Sequence, residues 1–157
     1  MISNKKLIEI IVSSLRKAVK NGKRIDGLSR QLMSFHKEEI ELSELDFLKE
    51  AIRTGPVDCR PYALKILCHF GFSISEFDSI VLSQSSSFIK TFIECAEKEE
   101  NEDSLLLFIE EDNKYLQQAI AVLKRMGKEE LLASLFFSDN VEFSNCIKRI
   151  IDVGGKK

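Results

Sequence analysis

Tryptophan is absent, and proline and tyrosine occur only twice each in 157 residues. With two prolines and seven glycines the chain has neither the composition of a disordered linker nor that of a collagen-like repeat. Long apolar runs are missing too. Leu105 to Ile109 is as long as any, and it falls far short of the roughly 20 residues that cross a bilayer as a helix. Met1 to Lys6 lead into an amphipathic pattern, not the continuous apolar core of a secretory signal, so an intracellular, cytoplasmic protein is expected. None of the four cysteines, Cys59, Cys68, Cys95 and Cys146, forms a CxxC pair or stands at zinc-ligand spacing from His36 or His69. They are expected to be small, reduced core residues.

Catalytic signatures are lacking as well. There is no GxxxxGK[ST] or GxGxxG loop to cradle a phosphate, no HExxH and no GxSxG. His36 and His69 have no third group at a meaningful spacing, which leaves a nucleophilic triad unsupported. Glu97, Glu99, Glu100, Glu102 and Asp103 crowd one corner, but the alternating ligands and turn glycine of a calcium loop are missing, so a solvated acidic loop is expected. The expectation is a protein with no catalytic residues, no metal and no cofactor.

What the sequence does contain is helix. No sustained period-two alternation marks a strand. Leu7, Ile10, Ile11, Leu15, Ala18 and Val19 recur at three- and four-residue spacing, predicting one apolar stripe on the first helix. Gly22, Gly55, Gly71, Gly127 and Gly154 each follow such a pattern, as glycine does where a helix ends in the left-handed conformation. Ser43 with Asp46, and Ser75 with Asp78, have the spacing of a capping box, and Asp139 with Glu142 resembles one. Ten helices are predicted, near 5–21, 28–37, 43–53, 59–70, 75–83, 87–98, 103–110, 113–126, 128–137 and 140–153. Their short connections predict antiparallel neighbours.

The helix ends repeat. Gly71, Glu99, Gly127 and Gly154 are spaced 28, 28 and 27 residues apart. Asp112-Asn113 falls on Asp139-Asn140, Leu116 on Phe143, Ala119 on Cys146, Ile120 on Ile147, Leu123 on Ile150, Met126 on Val153. Leu105, Phe108 and Ile109 fall on Leu132, Leu135 and Phe136. Earlier units place Ala63, Leu64 and Leu67, then Thr91, Phe92 and Cys95, in the columns of Ala119, Ile120 and Leu123. A two-helix hairpin cannot bury its apolar face alone, whereas stacked copies share a continuous core, which accounts for large residues in fixed columns. The small column, Ala63, Thr91, Ala119 and Cys146, lets the two helices of a hairpin approach closely.

The stretches Tyr62 to Gly71 and Ala119 to Gly127, the second after Leu105 to Ile109 and an Asp-Asn corner, resemble units of the HEAT/armadillo class. The resemblance covers residues 43–154 and implies an all-α, right-handed α-solenoid. Its units are shorter than the roughly 40–47 residues of those families, which leaves another right-handed helical superhelix open. The expected organisation is a single domain over 1–157, with an N-terminal helical cap at 1–42 and a tail at 155–157. Four hairpins lie between them, at 43–71, 75–99, 102–127 and 128–154. The class also implies a scaffold for protein or peptide recognition, with the second helix of each hairpin lining the concave face. On that face the polar positions outside the core columns are Arg60, Lys65, Lys90, Glu94, Gln117, Gln118, Lys124, Asn145, Lys148 and Arg149.

Net charge is only −2, but it is unevenly placed. Met1 to Lys37 carry nine bases and two acids, a local +7, and Glu94 to Asp112 carry nine acids and one base, a local −8. Arg16, Lys17, Lys20, Lys23 and Arg24 cluster at the end of the first helix, where cations favour the C-terminal dipole and offer a docking surface for an acidic segment. The expected function is non-catalytic binding of a protein or peptide partner, acidic in character. The alternatives are a small neutralising partner of the immunity-protein or antitoxin kind, using the acidic patch, and a nucleic-acid-binding module using the basic face. Residues 1–34 contain no aromatic side chain to stack on bases, which disfavours nucleic acid.

Overall fold

The computed structural model describes residues 2–110 and 114–136, and the predicted helix over 140–153 lies outside them. Among the described residues the protein is all-α, with eight α-helices. These are α1 (Asn4–Lys20), α2 (Asp26–Met33), α3 (Asp46–Thr54), α4 (Arg60–His69), α5 (Ser86–Glu99), α6 (Glu102–Glu110), α7 (Leu116–Arg125) and α8 (Glu129–Phe136). The chain divides into two compact units, Met1–Cys95 and Ala96–Lys157, with the boundary inside α5.

In the first unit α1 packs on α2, α2 on α4, and α3 on α4. The core is filled by Leu15, Ile25, Leu32, Leu48, Ile52, Leu64, Ile66, Phe77, Phe88 and Phe92, each nearly or wholly removed from solvent. In the second unit α7 packs on both α6 and α8, around Leu105, Phe108, Ile120, Leu123 and Leu132. Phe108 meets the edge of Tyr115 at a centroid separation of 6.2 Å. The columns aligned in sequence are buried in all three described copies, at Ala63-Leu64-Leu67, Thr91-Phe92-Cys95 and Ala119-Ile120-Leu123. Thr91 fits its small column because its hydroxyl donates to the Ser87 carbonyl at 3.0 Å, leaving the methyl for packing.

Helices α1, α4, α5 and α7 end in the same way. The first amide past the turn reaches back five positions into the helix, as in Lys23 to Ala18, Phe72 to Leu67, Asn101 to Ala96 and Lys128 to Leu123, at 2.8–2.9 Å. The residue between turns left-handed: Gly22 at φ 66°, Gly71 at 94°, Glu100 at 56° and Gly127 at 76°. This double closure satisfies carbonyls that the last turn leaves without a partner. The turning residue of the middle unit is thus Glu100, not Glu99, so it stands 29 residues after Gly71 and 27 before Gly127.

Several expectations are corrected. Gly55 has φ −81° and ψ −179°, so its backbone is extended, not left-handed. It is glycine for want of space, since a Cβ there would lie 2.6 Å from the Ala51 carbonyl oxygen. Ser43 sits in a 3-10 turn, Leu42–Leu45, and no side chain caps α3. Side-chain caps do form on α1, α5 and α6, with Ser3 accepting from the Lys6 amide, Ser85 from that of Phe88 and Asn101 from that of Ser104. The α1 stripe is rotated. Ile8, Val12 and Leu15 are buried, while Leu7 and Ile10 face solvent. At about 100° per residue, the apolar arc of α1 is wider than the face its neighbours cover. The predicted helix over 75–83 is two 3-10 turns, Ile74–Phe77 and Val81–Ser83. Ser73 caps the first through the Ser75 amide, and the tighter winding still delivers Ile74, Phe77 and Val81 to the core.

Glu100 holds a conformation that disfavours any residue with a Cβ by roughly 1–2 kcal/mol. Glycine gives back about 0.5–1 kcal/mol through the freer unfolded chain. Glu100→Gly should therefore raise stability by up to about 1 kcal/mol in urea unfolding. A lower midpoint for that variant would contradict the shared closure.

Candidate functional site

A cleft of the first unit, about 610 Å3, is lined by three separate stretches of chain. They are Gly22 to Asp26, Pro56 to Cys59 with Pro61, Tyr62 and Lys65, and Ser85 and Ser87 with Thr91. Each leads into a helix, α2, α4 or α5, so the wall is made of helix starts, where the dipole is positive. Local chemistry brings the stretches together. The left-handed turn at Gly22 swings Lys23 to Ile25 away from α1. The Cys59 thiol, almost fully buried, donates to the Lys23 carbonyl at 3.5 Å and ties the first stretch to the second. Arg60 donates through Nε to the Gly55 carbonyl at 3.0 Å and through its guanidinium to Gln84 Oε1 at 2.9 Å, tying the second to the chain entering α5. Ile25 and Pro61 supply a buried apolar floor, and Val57 an exposed apolar edge.

The charges at the rim differ in how far they are used. Asp26 holds Arg24 at 3.4 Å and Arg30 at 3.9 Å. Lys65 lies over the Tyr62 ring at 5.6 Å. Lys23 and Lys65 are exposed, and neither meets a carboxylate among the described residues. Burial pushes the Cys59 thiol above its ordinary range, and the nearby Asp58 charge adds to the effect.

Of the residues singled out in the sequence, Lys23, Arg24 and Lys65 line this cleft. Lys17 and Lys20 are exposed on the last turns of α1, just before Gly22. Arg16 packs over the Phe47 ring at 5.0 Å. Arg60 is half-buried and engaged by the scaffold. Lys90 and Glu94 are exposed on α5 and do not line the cleft. In the second unit Gln117 and Gln118 are exposed and Lys124 is half-buried. Asn145, Lys148 and Arg149 lie outside the described residues. Sequence reasoning missed Tyr62, Asp58, Ser85 and Ser87. Ser85 and Ser87, in the serine-rich stretch that begins α5, were the available signal.

The acidic segment is partly occupied by its own unit. Arg125 donates to both Glu97 oxygens, at 2.9 and 3.1 Å, and those hydrogen bonds hold the Glu97 carboxyl below its usual range. Lys128 reaches Glu102 at 3.5 Å. The histidines, unrelated in sequence, line one shallow cleft of the first unit, where the His69 Nε2–H donates to the Phe35 carbonyl at 3.0 Å. Among the described residues no group of three His, Cys, Asp or Glu side chains converges as a metal ion would require, and no helix is long and apolar enough to cross a membrane. Comparison with protein-family models, curated proteins and solved structures finds no match to this chain.

Because the thiolate is the reactive form, Cys59 should be alkylated slowly near neutral pH, and its rate should keep rising at a pH where an ordinary thiol, half ionised at about 8.5, has levelled off. Peptide mapping after iodoacetamide treatment reads this directly. A rate at pH 7 equal to that of a free thiol would contradict the burial of the Cys59 thiol.

Proposed function

We propose that this protein is a non-catalytic adaptor whose first unit holds an acidic peptide segment of a partner protein in the cleft between the starts of α2, α4 and α5. The observation that carries the reading is the pair of exposed lysines, Lys23 and Lys65, lining a cleft with an apolar floor and no carboxylate of their own. An aliphatic side chain of the peptide would meet Ile25 and Val57 while its carboxylates face the lysines and the positive ends of the helix dipoles. A single strand of nucleic acid fits less well. The cleft offers bases only one aromatic ring to stack on, Tyr62. Lys17 and Lys20 extend the positive field and steer the approach of an acidic segment over about a Debye length, roughly 8 Å at physiological salt.

The proposal includes the finer architecture. We read the hairpins as turns of a right-handed solenoid, supported by the recurring left-handed closure and by the buried columns.

A dye-labelled peptide rich in Glu and Leu should bind with an affinity that falls as salt is added. Lys23→Gln with Lys65→Gln should weaken it about fivefold or more without lowering the melting temperature, since exposed pairs contribute about 0.2–1 kcal/mol each. Fluorescence anisotropy and thermal melting measure the two quantities. Unchanged affinity in the double variant would refute the cleft as the site. Binding of a single-stranded oligonucleotide in preference to the peptide would replace the reading with the nucleic-acid one.

A further inference from the structure

We infer that the outer face of α1 docks on an anionic membrane surface. The starting point is the rotation of α1. Its buried residues are Ile8, Val12 and Leu15, which leaves Leu7 37% and Ile10 46% exposed, with Ile2 57% exposed just before the helix. Three of the six large apolar side chains exposed among the described residues thus gather on the first two turns of one helix and two residues ahead of it. Single exposed aliphatics are ordinary, whereas a gathered set calls for an apolar partner.

The chemistry around that set selects the partner. Lys6 stands four residues before Ile10 and Lys17 seven after, so both lie on the same side of the helix as Ile10 and Leu7. Lys5 and Lys20 are exposed at the two ends. Glu9 is the one acid of α1, and it meets Lys6 at 3.8 Å with both side chains open to water. A second α1 laid against the first would set cation against cation. The helix surface is convex, with aliphatics that protrude, so a rigid protein partner would need a matching furrow. A fluid surface conforms to it. Leu7 and Ile10 enter the interfacial region, while the lysine stems lie along the apolar boundary and their ammonium groups meet lipid phosphates and carboxylates. Each lysine near such a surface adds to the attraction, and a helix with both features binds reversibly, without spanning. This inference does not depend on the peptide cleft, whose lining begins beyond α1 at Gly22.

Flotation of the full chain with phosphatidylcholine vesicles, with and without phosphatidylserine, tests it. The protein should float with the serine-containing vesicles only, and added salt should release it. Leu7→Ser with Ile10→Ser should weaken binding about tenfold, and Lys6→Gln and Lys17→Gln about fivefold each. Lys6 and Lys17 are exposed, so their variants should keep the melting temperature, and a melt of the serine variant, whose side chains are partly covered, checks that its fold is intact. Equal binding to both vesicle types, no binding to either, or binding indifferent to all four substitutions would overturn the inference. If no vesicle binds and the serine variant instead alters the concentration dependence of sedimentation velocity, the face belongs to a protein contact and the membrane proposal is wrong.

Discussion

The left-handed closure at the end of α1, α4, α5 and α7 is the constraint on which the remaining features depend. It stops a helix, reverses the chain within three residues and satisfies carbonyls that the last turn would otherwise leave bare. At Gly22 it carries Lys23 to Ile25 to the Cys59 thiol, which is how the first wall of the cleft is set. At Gly71 it returns the chain toward α3, where Lys49 lies over the Phe72 ring at 4.0 Å and pairs with Glu76 at 3.2 Å. At Glu100 it is kept in spite of the wrong residue for the backbone, so the surrounding packing outweighs a local preference of roughly 1–2 kcal/mol.

Pairing within the fold, more than the number of charges, determines which are open to a partner. Arg125 and Lys128 take up Glu97 and Glu102, Asp26 takes up Arg24 and Arg30, and Arg60 is held by a carbonyl and an amide. Exposed pairs of this kind add little stability each and weaken with salt. Their larger effect is subtraction. They remove charges from the surface and leave Lys17, Lys20, Lys23 and Lys65 as the cations of the first unit best placed for an acidic segment.

The helical class and the buried columns were legible because they rest on short-range periodicity, and Ala63, Leu67, Ala119 and Leu123 sit where a three-and-four spacing places them. The stops at Gly22, Gly71 and Gly127 were legible because glycine tolerates the left-handed turn without penalty. Gly55 misled because glycine also serves close approach, and sequence does not separate the two uses. The rotation of α1 was illegible because all of Leu7, Ile8, Ile10, Ile11 and Val12 are apolar, and only the packed neighbours choose among them. Of the site, Lys23 and Arg24 were found by charge, and Lys65 as a polar position outside the core columns. The cleft itself was not, because its walls come from three segments some thirty residues apart, joined by the Cys59 and Arg60 hydrogen bonds.

The central claim is that one cleft, walled by three helix starts, receives an acidic segment. Amide hydrogen exchange with and without an acidic, leucine-containing peptide tests it most directly. The account predicts that peptide slows exchange together in Gly22 to Gly27, Val57 to Tyr62 and Ser85 to Ser87, with little change at Gln117 to Lys124. Protection confined to one of the three stretches, or appearing only on α7, would contradict it.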